Sequence, residues 1–190
     1  VTGVQTCALP ILGLSIMRTI PGGRIESGTI LLDGQSILDI SSQEFDAKFR
    51  WKQISMIFQG AMNSLDPVYT ISRQFSDILQ QHNSIDHTIV KSLLNQVGLD
   101  ESILSKYPHE LSGGMKQRVV IAMALLLKPK LVIADEPTTA LDVLVQSQIL
   151  NLFKSLKKQG VSFVLISHDL AAISEVCEKI GVMYEIGRAH

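Results

Sequence analysis

The stretch "LVIADEPTTALD", residues 131–142, decides the fold. Four apolar residues, Leu131 to Ala134, lead directly into two carboxylates, Asp135 and Glu136. A strand with no polar residue along its length is buried on both faces, as the strands of parallel sheets are. Ligands of open α/β sheets sit beyond the C-terminal ends of the strands, so Asp135 and Glu136 emerge at a ligand-binding edge. Successive strand residues point to opposite sides, which lets the two carboxylates do different work. Asp135 suits coordination of Mg2+, and Glu136 suits orienting and deprotonating an attacking water. The dipeptide alone is equally compatible with a solvated strand end before a turn.

The surrounding pattern supplies the rest of an α/β sheet. "QISMIFQ" (53–59) reads as a second buried strand and "VSFVLI" (161–166) as a third. Between the last two, residues 145–159 place Ile149, Leu152, Phe153 and Leu156 on one helical face and stop at Gly160. A further helix is expected over 170–179 and a strand at "IGVMY" (180–184). Strand-helix-strand alternation with short links implies parallel pairing. Upstream, "GTILLDGQSI" (28–37) reads as strand, Asp33-Gly34 turn and strand. The segment 60–128 is different. It starts loop-like at "GAMNSLDPVYTI", continues into a helix on Ile89, Leu93 and Val97 with Gly98 as its cap, and closes with a helix after Ser112. It reads as a helical insertion into a core formed by 12–59 and 129–184, the whole a single domain.

Composition narrows the function classes. The chain has 190 residues, 46% of them hydrophobic and 18% charged, and its net charge of −1 gives no basic footprint for nucleic acid. Two cysteines, Cys7 and Cys177, make no disulfide framework, so a reducing compartment is expected. The run Val119–Leu127 is about half the ~20 residues a membrane-spanning helix needs. Membrane association is therefore expected only through a partner.

Other residues join the two carboxylates. In "LSGGMKQR" (111–118), Ser112, Gly113 and Gly114 offer a hydroxyl and unencumbered N–H groups at a helix start, an arrangement that binds phosphate. A plain N-cap with a flexible entry is the alternative. His168 in "ISHD" leaves another buried strand at the same sheet edge, and Gln59 ends a third. Each has an ordinary structural reading as a strand-end side chain. Asp142 reads first as the cap of the helix that follows it.

Taken in order, Gln59, "LSGG", "LVIADEP", "ALD" and "SH" resemble the ATP-binding-cassette ATPases over roughly residues 12–184. "SIMR", "ISMIFQ", "NSLDPVYTI", "YPHELSGGMKQRVVIAMAL" and "ADEPTTALDV" are similar to the ATPase subunits of oligopeptide, dipeptide and nickel importers. The resemblance implies a P-loop NTPase-type parallel sheet flanked by helices, with an inserted helical subdomain. It implies ATP and Mg2+ as ligands, with Asp135 and Gln59 at the metal and Glu136, His168 and Gln59 in catalysis. Ser112, Gly113 and Gly114 would contact ATP held by the opposite subunit, and Asp142 would lie at the dimer interface. Implied partners are a second ATPase subunit in a homo- or heterodimer, transmembrane permease subunits and, indirectly, an extracytoplasmic solute-binding protein. The implied location is the cytoplasmic face of the membrane. Chromosome and DNA-repair ATPases of the same superfamily carry a long coiled-coil insertion, and the short interval from Gln59 to Ser112 rules that class out.

The opening departs from the family. Anchored on Ser15-Ile16-Met17-Arg18, the phosphate-loop lysine falls at Leu9, the Mg2+-binding hydroxyl at Pro10, and loop glycines near Thr6 and Ala8. Such a loop has lost its ammonium, its hydroxyl and its backbone freedom. A native apolar helix fits poorly with Pro10 and the isolated Gly3 and Gly13. Residues 1–11 and 185–190 therefore read as non-native ends resembling translated adapter sequence. The chain as written is expected to be inactive alone, or to act as a non-catalytic partner that donates its signature loop.

Overall fold

Three strands form the centre of the protein: β3 (Ile54–Ile57), β4 (Leu131–Asp135) and β5 (Ser162–Ile166), all parallel in the order β3-β4-β5. The computed structural model describes residues 8–82, 84 and 88–182. Register aligns Ile57 with Ala134 and Asp135 with Ile166, so the three C-terminal ends finish at one edge.

Side-chain alternation divides the core in two. Leu131 and Ile133 face one side with Ile54, Met56 and Ile166, while Val132 and Ala134 face the other with Ile57. On the first side lies α1 (Ala8–Ile16). Beside it pack the hairpin β1 (Leu31–Leu32) and β2 (Gln35–Ser36) and the helix α2 (Ser42–Lys48). The hairpin turn has φ of 49° at Asp33 and 80° at Gly34, the left-handed pair a type I′ turn needs. On the second side pack α5 (Gly113–Leu125) and α6 (Val143–Lys158), with α3 (Ile71–Gln81) and α4 (Thr88–Gln96) beyond. The last helix, α7 (Leu170–Val176), lies against α6.

Some local structure differs from the sequence expectation. An apolar helix does form at Ala8–Ile16. Pro10 is its third residue, where N–H groups have no intrahelical partner, so the missing donor costs nothing there. Gly13 is an asset rather than an interruption. A methyl group on it would lie 3.1 Å from Ile133 Cγ2 and from Met56 Cε, and 3.3 Å from Ile166 Cδ1. The bare backbone thus lets α1 sit directly on all three strands.

Two helices, α2 and α3, gave no sequence expectation, although Ser41 and Thr70 cap them by accepting from Glu44 and Arg73 N–H. The helix expected over 170–179 ends at Val176, where Cys177 turns extended. Residues 180–182 form no strand, and 183–184 lie outside the described residues. Among the described residues no strand pairs with 180–182, and an extended segment without a partner has no ladder to join.

Phe45, fully buried, ties the first side together. The guanidinium groups of Arg18 and Arg50 stand 5.3 and 5.6 Å from its ring centre. Arg18 also donates to the Ile40 carbonyl at 2.9 Å, and Arg50 donates to the Met17 carbonyl at 3.1 Å. Each cation–π contact is worth about 0.5–2 kcal/mol.

The contact at Gly13 makes a direct prediction. Gly13→Leu forces α1 off the sheet and is expected to cost about 1–3 kcal/mol or more. Chemical denaturation measures it, and an unchanged midpoint would show that α1 does not pack as described.

Candidate functional site

Four of the residues singled out in the sequence meet at the C-terminal edge of the sheet. Asp135 is the last residue of β4, and Glu136 follows it. His168 lies two residues past the end of β5, and Gln59 two residues past the end of β3. Parallel pairing with this register is what brings them level.

Asp135 is only 5% exposed. By alternation it shares the α1 face with Leu131 and Ile133. Among the described residues no group hydrogen-bonds to its carboxylate, and burial, with the Glu136 charge second, raises its pKa above the ordinary aspartate value. A buried carboxylate without donors suits a hard divalent cation, which prefers oxygen ligands and supplies the missing compensation.

Glu136 is in the opposite situation. Its backbone takes φ of 47°, a left-handed conformation rare outside glycine, and its N–H donates to the Ile166 carbonyl at 2.9 Å. The carboxylate is 11% exposed and already engaged. Oε1 accepts from the His168 backbone N–H at 3.0 Å and stands 2.6 Å from His168 Nδ1. Oε2 accepts from the Thr139 hydroxyl at 3.0 Å. The imidazole itself is largely exposed, at 78%. Its hydrogen bond to Glu136 and the Glu136 charge raise its proton affinity above the usual histidine value, with Asp169 adding to the effect. A carboxylate held by an imidazole at a solvent-facing edge can exchange a proton with a bound water.

Gln59 is exposed at the same edge and makes no hydrogen bond to the other three among the described residues. The Ser112 group is elsewhere. Ser112 caps α5, its Oγ accepting from Met115 N–H at 3.3 Å, and stays exposed. A methyl group on Gly113 would stand 3.8 Å from Leu141 Cδ2, and one on Gly114 only 2.7 Å from Val145 Cγ1. The loop therefore lies against the start of α6 rather than on the Glu136–His168 pair. Asp142 is the N-cap of α6, accepting from Val145 N–H at 2.9 Å, as its first reading expected.

Sequence reasoning missed Thr139 and Gln146. Gln146 Nε2 donates to the Thr138 and Leu141 carbonyls at 3.2 and 3.1 Å, pinning the loop after Glu136 to α6. A hydroxyl three residues after Glu136, with Pro137 between, was the available signal for Thr139.

The ABC transporter family model matches residues 15–139. The oligopeptide transport ATP-binding protein AppD of Bacillus subtilis is 44% identical over 92% of this chain and 56% of its own length. A probable peptide ABC transporter ATP-binding protein of Sinorhizobium fredii, y4tR, is 40% identical over 97% of this chain and 57% of its own. The chain thus spans little more than half the length of these relatives. A dimeric ATP-binding cassette in a post-hydrolysis state, bound to ADP and Pi, superposes with a TM-score of 0.68. It is 27% identical, and the match covers 86% of this chain and 73% of that one.

Two pH dependences follow from the site. The folded state binds a proton at His168 more tightly than the unfolded chain does. The resulting stability is fully present below about pH 6.5 and is lost as pH rises through the elevated folded value. His168→Gln is expected to flatten that arm of the stability curve, and equal pH dependence in the two proteins would contradict the pairing. Asp135 behaves oppositely in effect, because its raised value makes ionisation costly to the fold. That cost is absent below about pH 3.9 and fully present above the folded value. Asp135→Asn should therefore raise the unfolding midpoint at pH 7, with the gain shrinking toward pH 4. A lowered midpoint at pH 7 would overturn the argument.

Proposed function

This chain belongs to the ABC transporter family, and we propose that it is the nucleotide-binding subunit of a peptide-type importer, coupling ATP binding and hydrolysis to solute transport. The observation that carries the reading is the sheet edge, where Glu136 Oε1 stands 2.6 Å from His168 Nδ1 next to the buried Asp135 carboxylate, which has no donor among the described residues. The peptide-transport names of the relatives support the solute class.

Each residue then has a role. Asp135 and Gln59 would hold Mg2+, whose chemistry when bound is to neutralise charge on the phosphate oxygens. Glu136 accepts the proton of the attacking water, and His168 reaches the terminal phosphate while keeping the carboxylate in place. Ser112, Gly113 and Gly114 present N–H groups and a hydroxyl at the α5 N-terminus to ATP held by a second ATPase subunit. Their position against the start of α6, away from Glu136, supports a role in a different nucleotide site from the one Glu136 serves. Asp142 faces that second subunit. The helices between β3 and β4 serve as a subdomain that docks on transmembrane permease subunits at the cytoplasmic face of a membrane. A solute-binding protein outside supplies the cargo to those subunits. Among the described residues no helix is long and apolar enough to cross a membrane, which fits attachment through partners.

A second reading is favoured by one observation. The start of α1 carries Leu9 and Pro10 where a phosphate loop needs a lysine and a hydroxyl. On that reading the chain is a non-catalytic partner that lends Ser112, Gly113 and Gly114 to an intact subunit.

Hydrolysis and labelling separate the two. If the chain hydrolyses ATP, Glu136→Gln lowers kcat by about 10²- to 10⁴-fold with KM little changed; an undiminished rate would remove Glu136 from the role of base. Photolabelling with an ATP analogue, alone and beside an intact ATPase subunit, tests the second reading. Labelling of this chain alone would sink it.

A further inference from the structure

Glu136 is gripped at both carboxylate oxygens, and the two grips come from different parts of the fold. His168, beyond β5, holds Oε1 through its backbone N–H and its ring. Thr139, in the loop leading to α6, holds Oε2 through its hydroxyl at 3.0 Å. The terminal torsion of a glutamate side chain is broad, and turning it swings Oε1 and Oε2 together, so a carboxylate held at Oε1 alone keeps some freedom to turn off the His168 donors. A donor on the second oxygen removes that freedom.

Thr139 is well supported for this work. Its own backbone N–H donates to the Glu136 carbonyl at 3.2 Å, closing a turn across Pro137 and Thr138. Gln146 then fixes the loop to α6 through the Thr138 and Leu141 carbonyls. Thr138 is buried, and Ala140 holds a left-handed φ of 64°. The β-branched threonine is also stiff at its first torsion, which keeps the hydroxyl aimed. The left-handed backbone of Glu136 needs such support, because strained conformations of this kind cost about 1–3 kcal/mol and persist only when their surroundings over-determine them.

We propose that Thr139 is a positioning residue for Glu136: its hydroxyl fixes the plane of the carboxylate so that Oε1 stays on His168 and faces the edge where water would be activated. The proposal rests on the reading of Glu136 as the proton acceptor. Thr139 acts only through Glu136 and needs no contact with nucleotide.

The test compares the whole chain with T139V, which keeps the shape and removes the donor, and T139S, which keeps the donor. The first readout is the proton NMR signal of His168 Nδ1–H, assigned by its absence in His168→Gln. The signal is expected in the original chain and in T139S, and its loss is expected in T139V as the carboxylate turns away. If Thr139 merely stabilises its loop, T139V lowers the melting temperature and leaves the signal in place, which overturns the proposal. Should T139V fail to fold by circular dichroism, T139A is read in the same way. No nucleotide enters this measurement, so a chain found not to use Glu136 in hydrolysis leaves its outcome readable. Where ATP is hydrolysed, T139V should lower kcat about tenfold at unchanged KM, with T139S restoring it; equal rates in T139V and the original chain count against the proposal.

Discussion

The hydrogen bond from Glu136 N–H to the Ile166 carbonyl, at 2.9 Å, is the interaction on which the site depends. It is one rung beyond the β4–β5 ladder, whose last aligned pair is Asp135 with Ile166. Because the rung is made, Asp135 remains part of the strand and buried, while Glu136 swings into a left-handed conformation. Two adjacent carboxylates thereby acquire opposite environments. One has no donors among the described residues and a raised proton affinity; the other is held at both oxygens.

The rest of the fold holds that edge in place. Apolar alternation gives the sheet two buried faces, and the helices that cover them differ in kind. On one face α1 approaches closely because Gly13 presents no side chain, and the Arg18–Phe45–Arg50 stack locks its end to α2. On the other, α5 and α6 meet so tightly that Gly114 has no room for a methyl group beside Val145. Gly114 therefore has a packing reason of its own, apart from any contact with phosphate. Arg118 adds to this join by donating to the Val97 carbonyl and to Gln148 Oε1, both at 2.7 Å, linking the end of α4 to α6.

These contacts place the Ser112 loop beside Asp142 and the loop that carries Thr139. A change at the Ser112 loop thus has a short physical route to Glu136: α5 to the start of α6, then through Gln146 and the 138–141 loop.

Residues such as Asp135, Glu136 and Ser112 were evident in the sequence because short-range rules expose them. An apolar run ending in carboxylates, a Ser-Gly-Gly helix start and the spacing of breakers need no knowledge of distant neighbours. The strands β3, β4 and β5 and the helices α4 to α6 followed from the same periodicities. What the sequence left open depends on contacts between segments far apart in the chain. Whether Gly13 breaks or permits a helix is settled by Ile133, Met56 and Ile166, which lie on three other segments. Whether residues 180–182 form a strand depends on a pairing neighbour, which none of the described residues supplies, since β structure takes its hydrogen bonds from another segment. The grip of Thr139 and His168 on one carboxylate arises because β4 and β5 end level, and only tertiary pairing sets that register.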